Sequence, residues 1–191
     1  MAVREAQVRQ RLEQLSDQLN PKLAHEAAVL ELDSIFRTGR FPDPAPDGFL
    51  PGRLITTSVA SPIDNAGRWL SNAWMPWLGK AFDAQNKTGV NVLTASARTP
   101  MRAVWPSYEP IRETAHGIEA FPFRTRRGPG EVDPDVDVLK IDYDFEANPN
   151  LVIRKILDEL VEVEPGFYLG KILYRWKGSF RRIGFFTLER P

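Results

Sequence analysis

Lysine, tyrosine, arginine and carboxylate side chains recur in the β-type runs of this chain, and a few of them converging on one apolar pocket could anchor a ligand or move a proton. Lys80, Arg53 and Tyr143 are the polar groups expected to set a ligand's orientation. Lys140, Asp142 and Asp144 lie beside Tyr143, and Asp158-Glu159 follows; together they could supply an acid and a base if both faced a pocket. Strand alternation separates them, however. Leu139, Ile141 and Tyr143 point one way, as the expected interior, and Lys140, Asp142 and Asp144 the other, as a solvated face. Asp158 and Glu159 fall late in a helix expected from Asn148-Pro149, where Arg154 and Lys155 sit four residues before them as surface partners. No catalytic residue is assigned on this basis. An enzyme acting through Tyr143, Asp142 or Lys80 stays open as the alternative.

Metal chemistry has little to build on. The chain holds two histidines and no cysteine, which removes thiolate sites and disulfides. His25 lacks a second histidine four residues on, and His116 stands alone. Asp133-Pro134-Asp135-Val136-Asp137 could converge oxygens on a hard cation, but Val138 and Asp144 stand where a calcium loop needs glycine and a bidentate glutamate. An aspartate-rich turn leading into a strand accounts for it, so no metal is expected, and the sequence leaves any cofactor unknown. Nucleophile-elbow, phosphate-loop and dinucleotide glycine motifs are all missing.

Lysine plus arginine and aspartate plus glutamate number 25 each, so no global field attracts nucleic acid. The patches Arg124-Thr125-Arg126-Arg127 and Arg181-Arg182 are local. No run is long and apolar enough for a spanning helix, and the first residues are charged where a secretory signal would be apolar, which fits a cytoplasmic protein.

Chemistry of this kind needs a frame. Val8, Leu12, Leu15 and Leu19 share one face of a first helix; a second begins at Asn20-Pro21 and ends at Gly39, and the pair could form a hairpin or a dimer contact. Residues 1–40 are thus a helical segment and 41–191 a β-barrel-like domain. A proline-rich lead-in precedes a strand over Gly48–Thr57. Ser61-Pro62 opens a short amphipathic turn to about Ala73, and Trp69, Trp74 and Trp77 cluster beside it, to plug the core or rim a pocket. Strands follow over Trp77–Asp83 and Gly89–Ala95. Residues 98–117 read as a crossing loop or lid with one short strand, and 118–126 as a strand in which Pro122 marks an edge or a bulge. From Asp133 to Glu189 the order reads strand, helix, hairpin, strand. Within that hairpin, Tyr168, Gly170, Ile172, Tyr174 and Trp176 share an uncharged face, expected to look inward.

The segments GFLPGRL, PWLGKAFD with GVNVL, KIDYD and DELVEVEPGFYLGK resemble those of lipocalin-like (calycin) barrels, in particular small uncharacterised ones named for a Gly-x-Trp-x-Gly motif. Gly48 and Gly52 match the first motif, with Phe49 and Leu50 where its tryptophan would sit. Leu78-Gly79-Lys80-Ala81-Phe82 and Tyr168-Leu169-Gly170-Lys171 match the later ones. The resemblance implies a barrel that binds small apolar molecules, and it assigns no catalytic residue.

The expected protein is α+β and mostly antiparallel β, a lipocalin-like barrel or strongly curled sheet behind two N-terminal helices. Its expected partner is a small hydrophobic ligand touching Arg53, Trp77, Lys80, Tyr143, Tyr168 and Tyr174. The alternative to both binder and enzyme is an interaction domain whose core is filled by its own side chains.

Overall fold

The computed structural model describes residues 7–12, 14, 22–57, 77–109, 112–150 and 152–191. The expected turn at 61–73, Trp69, Trp74, Leu15 and Leu19 lie outside the described residues.

Among the described residues nine strands form one antiparallel sheet: β1 (Gly48–Thr57), β2 (Trp77–Asp83), β3 (Thr88–Leu93), β4 (Arg112–Thr114), β5 (Gly117–Pro129), β6 (Asp137–Asp142), β7 (Ile156–Glu164), β8 (Phe167–Trp176) and β9 (Ser179–Glu189). The order is β3-β2-β1-β9-β8-β7-β6-β5, and β3 pairs with β5, so eight strands close into a barrel while short β4 lies along the start of β5. Closure removes the two edges an open sheet would expose.

One strand bends to make this possible. Phe121 takes a left-handed backbone (φ 53°) directly before Pro122, and the β3–β5 register slips there, between Gly89 and Asn91. The freed Phe121 amide donates to the Tyr108 hydroxyl at 2.7 Å. This is the bulge that Pro122 announces in the sequence.

Helix α1 (Lys22–Thr38) lies on the outer wall. Its Ala28, Leu32 and Phe36 recur every four residues and are buried against Val138, Val161, Leu169 and Phe185, with Leu12 from the preceding helical residues in the same cluster. The α1 chain closes down at Gly39, where a Cβ would overlap Val161. A second cluster fills the barrel: Leu50, Trp77, Phe82, Phe123, Ile141, Tyr143, Leu160, Tyr168, Ile172, Tyr174, Phe186 and Leu188 among others. β7 and β8 therefore carry apolar residues on both faces, one toward the barrel and one toward α1.

That double burial corrects two expectations. The helix expected from Asn148 to about Leu160 is a single 3-10 turn (Ile153–Lys155) followed by strand β7. Buried on both sides, β7 loses the alternation that marks a half-exposed strand, and its near-continuous apolar run mimics a helix. Arg154 consequently pairs with Asp144 and not with Asp158. Nor is the outward face of β6 all solvated: Lys140 is 3% exposed and donates to Glu131 at 2.5 Å. The segment expected as a loop over 98–117 contains helix α2 (Arg98–Val104), whose Met101 joins the barrel cluster, and then β4. Among the described residues no helix is long and apolar enough to cross a membrane.

Candidate functional site

Strands β2, β3 and β7, and the residue directly after β6, each turn one polar side chain into the barrel. Lys80 of β2 is paired with Asn91 of β3 in register, and Asp158 of β7 with Ile141 of β6, two residues before Tyr143. All four side chains are wholly buried.

Their side chains hydrogen-bond to one another. The Lys80 ammonium has three donors, and three acceptors surround it: Asn91 Oδ1 at 3.0 Å, Asp158 Oδ2 at 2.9 Å and the Tyr143 hydroxyl. Tyr143 Oη lies 3.1 Å from Asp158 Oδ2, to which it donates, and accepts from Asn91 Nδ2 at 3.0 Å. Trp77 Nε1 donates to Asn91 Oδ1 at 3.1 Å. Around this knot stand the rings of Trp77, Phe123, Tyr143 and Phe186, whose centroids are 5.0 to 5.5 Å from Lys80 Nζ. One atom is left over. Asp158 Oδ1 is buried and has no hydrogen-bond partner among the described residues.

Burial governs the titration of all three ionisable groups. It lowers the Lys80 amine, against the opposing pull of Asp158; it raises the Asp158 carboxyl, against Lys80; and it holds the Tyr143 hydroxyl well above its usual range, with the Asp158 charge adding to the effect. Both shifts within the Lys80–Asp158 pair favour the neutral amine and the neutral acid. The hydrogen-bond geometry accommodates either the ion pair or that neutral pair.

The glycines shape the interior. Gly52, Gly89 and Gly170 face the barrel lumen, where a Cβ would overlap the rings of Trp77, Phe123 and Phe186 respectively. The missing side chains let these rings approach the glycine backbone and stand around Lys80.

One barrel end carries the β2–β3 and β7–β8 turns and is covered by the chain after α1, where Arg40 pairs with Glu162 in a β-bridge and Phe41 packs on the interior cluster. The opposite end carries the connections over 94–116 and 143–155. There Trp105, Tyr108 and Phe121 form an aromatic cluster, with Tyr108 stacked on Phe121 at 5.1 Å. Burial pushes the Tyr108 hydroxyl up to about 12. A cavity of about 340 Å³ opens between Trp105, Tyr108 and the stretch Glu146–Asn150. Buried Asn148 forms part of its wall and donates to the Tyr143 carbonyl at 2.9 Å, so this cavity is one residue away from the polar knot.

The structure places Trp77, Lys80, Tyr143, Tyr168 and Tyr174 inside the barrel. It brings the first three together. Tyr168 and Tyr174 are six residues apart on β8, about 20 Å along the strand, and so belong to opposite ends; Tyr168 Oη accepts from Arg190 at 3.1 Å. Arg53 is exposed on the outer wall, beside Leu12, Phe167 and Glu189. Asn91 and Asp158 are the members of the knot that sequence reasoning missed. Asn91 carried a signal, since it is the one polar side chain in the run Val90–Leu93. Asp158 was hidden by the helical reading of its strand. Among the described residues no cluster of histidine, aspartate and glutamate could hold a metal ion.

No protein-family model and no curated protein matches the chain. A crystal structure of a protein from Thermomonospora curvata is similar to it, with a TM-score of 0.50 and 14% identity over 95% of this chain and 99% of that one. At that identity the likeness speaks for the shared barrel architecture alone.

Proposed function

We propose that the barrel holds a small, largely apolar molecule whose polar end meets the Lys80–Asp158–Tyr143–Asn91 knot. One observation carries this reading: a wholly buried carboxylate, Asp158, keeps one oxygen without a donor among the described residues, in a lumen lined by aromatic rings. An unmatched buried acceptor costs about 1 to 3 kcal/mol, and a ligand hydroxyl or N–H placed there would recover it. Trp77, Lys80 and Tyr143 would contact the polar end. Tyr174 would border the apolar end, on the side of the 340 Å³ cavity, and Tyr168 would close the far end. Arg53, on the outer wall, takes no part in this reading. Entry would be through the connections over 94–116 and 143–155, the side on which Asn148 joins the cavity to Tyr143.

The packing of Phe82, Phe123 and Phe186 around Lys80 favours a second reading, in which side chains alone fill the barrel and the protein acts through its surface. Titration with N-phenylnaphthylamine, an apolar fluorophore with one N–H donor, separates the two. Container behaviour is a saturable enhancement at one dye per chain, weakened in Asp158→Asn and competed by decanol. A filled barrel gives a weak, linear, non-saturating signal.

A further inference from the structure

We infer that Lys80 is a carbonyl-capturing residue: it forms a reversible imine with an apolar aldehyde or ketone held in the barrel. This deepens the ligand-binding reading above and rests on it.

Four observations converge on Lys80. Its amine is wholly buried at the centre of the lumen, whereas Lys87 and Lys177 are exposed on turns. Four aromatic rings surround it and would pack the body of an apolar ligand. A carboxylate and a phenol both touch the nitrogen, so a base and an acid are in place. Finally, burial disfavours the ammonium relative to the neutral amine, the form that attacks a carbonyl.

The step balances with these groups alone. The neutral Lys80 amine attacks the carbonyl carbon, and the carbonyl oxygen takes up a proton from the Asp158 carboxyl or the Tyr143 hydroxyl. The new C–N bond forms as the C=O π bond breaks, and it gives a neutral carbinolamine once the attacking nitrogen has returned a proton to the group that gave one. Its hydroxyl then leaves as water, protonated by Asp158 or Tyr143, while the nitrogen lone pair forms the C=N bond, and the protonated imine hands its N–H proton back to that same group. No oxidant or reductant is consumed, and added water reverses the sequence. Asn91, bonded to both Lys80 and Tyr143, holds the two groups facing each other.

The test uses the full chain with decanal as the carbonyl probe and decanol as its non-carbonyl counterpart, with sodium cyanoborohydride to fix any imine. Peptide mapping after brief labelling at neutral pH should find the reduced adduct at Lys80 at least about tenfold more abundant than at Lys87 or Lys177, since a neutral amine in an apolar pocket outcompetes protonated surface lysines. Decanol should suppress it. Lys80→Arg, which keeps N–H donors at this position but cannot form the imine, should lose that adduct only. The mapping is done on the unaltered protein, so it stands even if a variant fails to fold. Decanol binding without a decanal adduct at Lys80 would overturn the imine and leave the container reading intact. If neither compound binds, both fall.

Discussion

Lys80 Nζ lies 2.9 Å from Asp158 Oδ2, joining positions 78 residues apart in the chain, with both side chains at zero exposure. Taking two charges out of water costs several kcal/mol per ion, and their attraction offsets this only with good geometry and extra hydrogen bonds. Here Asn91 and Tyr143 supply those bonds.

The first prediction follows from that coupling. Lys80→Met or Asp158→Leu alone should destabilise the fold by about 3 to 5 kcal/mol, because each leaves a buried group unpaired. The double variant should recover much of the loss. Urea melts of the four proteins give the cycle; additive losses would show that the two residues do not act as a pair.

Gly170 tests the packing of the lumen. It pairs with Phe186 across the β8–β9 ladder, and a methyl group at Gly170 would overlap that ring. Gly170→Ala should therefore cost about 1 to 3 kcal/mol, as overpacking does. Gly170→Ala combined with Phe186→Leu should cost less than the two single changes summed. A neutral Gly170→Ala in a urea melt would mean that Phe186 does not press on the wall.

Much of the barrel was legible in the sequence, and most of the misses trace to the helix that covers its outer wall. β1, β2 and β3 keep a readable period, while β6, β8 and β9, buried in part on both faces, show themselves by their branched and aromatic residues and the turns that bound them. The inward set Tyr168, Ile172, Tyr174 and Trp176 on β8 lies in the barrel cluster as alternation indicated. The opposite face was expected to be the charged one. It is covered by α1, and Lys171 there is 1% exposed, donating to Asp133 at 2.5 Å. Sequence showed Asp133 as part of an aspartate-rich turn but could not show that Arg37 of α1 also bonds it, since that contact spans 96 positions. The same covering helix erased the alternation of β7 and hid Asp158. Helix α2 escaped because Pro100 and Pro106 lie in and just after it, and its only buried residue is Met101.

The outer wall gives a third expectation. Leu12 is 2% exposed within the cluster that α1 shares with the barrel. Leu12→Ala should cost about 2 to 4 kcal/mol, and removing residues 1–19 should lower the melting temperature clearly. A truncated protein melting like the full chain would place the first helical residues outside the stabilising wall.

Glu159 provides a pH expectation. It is wholly buried on the outward face of β7, accepts the Glu131 amide at 2.6 Å and has Lys140 3.9 Å away, with Glu131 and Lys171 also acting on it. Burial, the largest cause, raises its carboxyl above the usual range. An acid raised in the folded state supports stability below its unfolded value, and that support is lost as pH rises through the folded value. The stability of Glu159→Gln relative to the natural protein should thus increase from about pH 4 to about pH 8 in paired urea melts. A difference that falls over that interval would show that Lys140 and Lys171 outweigh burial.

Native mass spectrometry of gently purified protein, sprayed with and without added decanol, tests the central claim most directly. The container reading predicts a population carrying one small molecule per chain, either co-purified or supplied as decanol, that is released on activation and reduced in Asp158→Asn. A chain that stays at its bare mass in both samples, while folded and monodisperse, would contradict it.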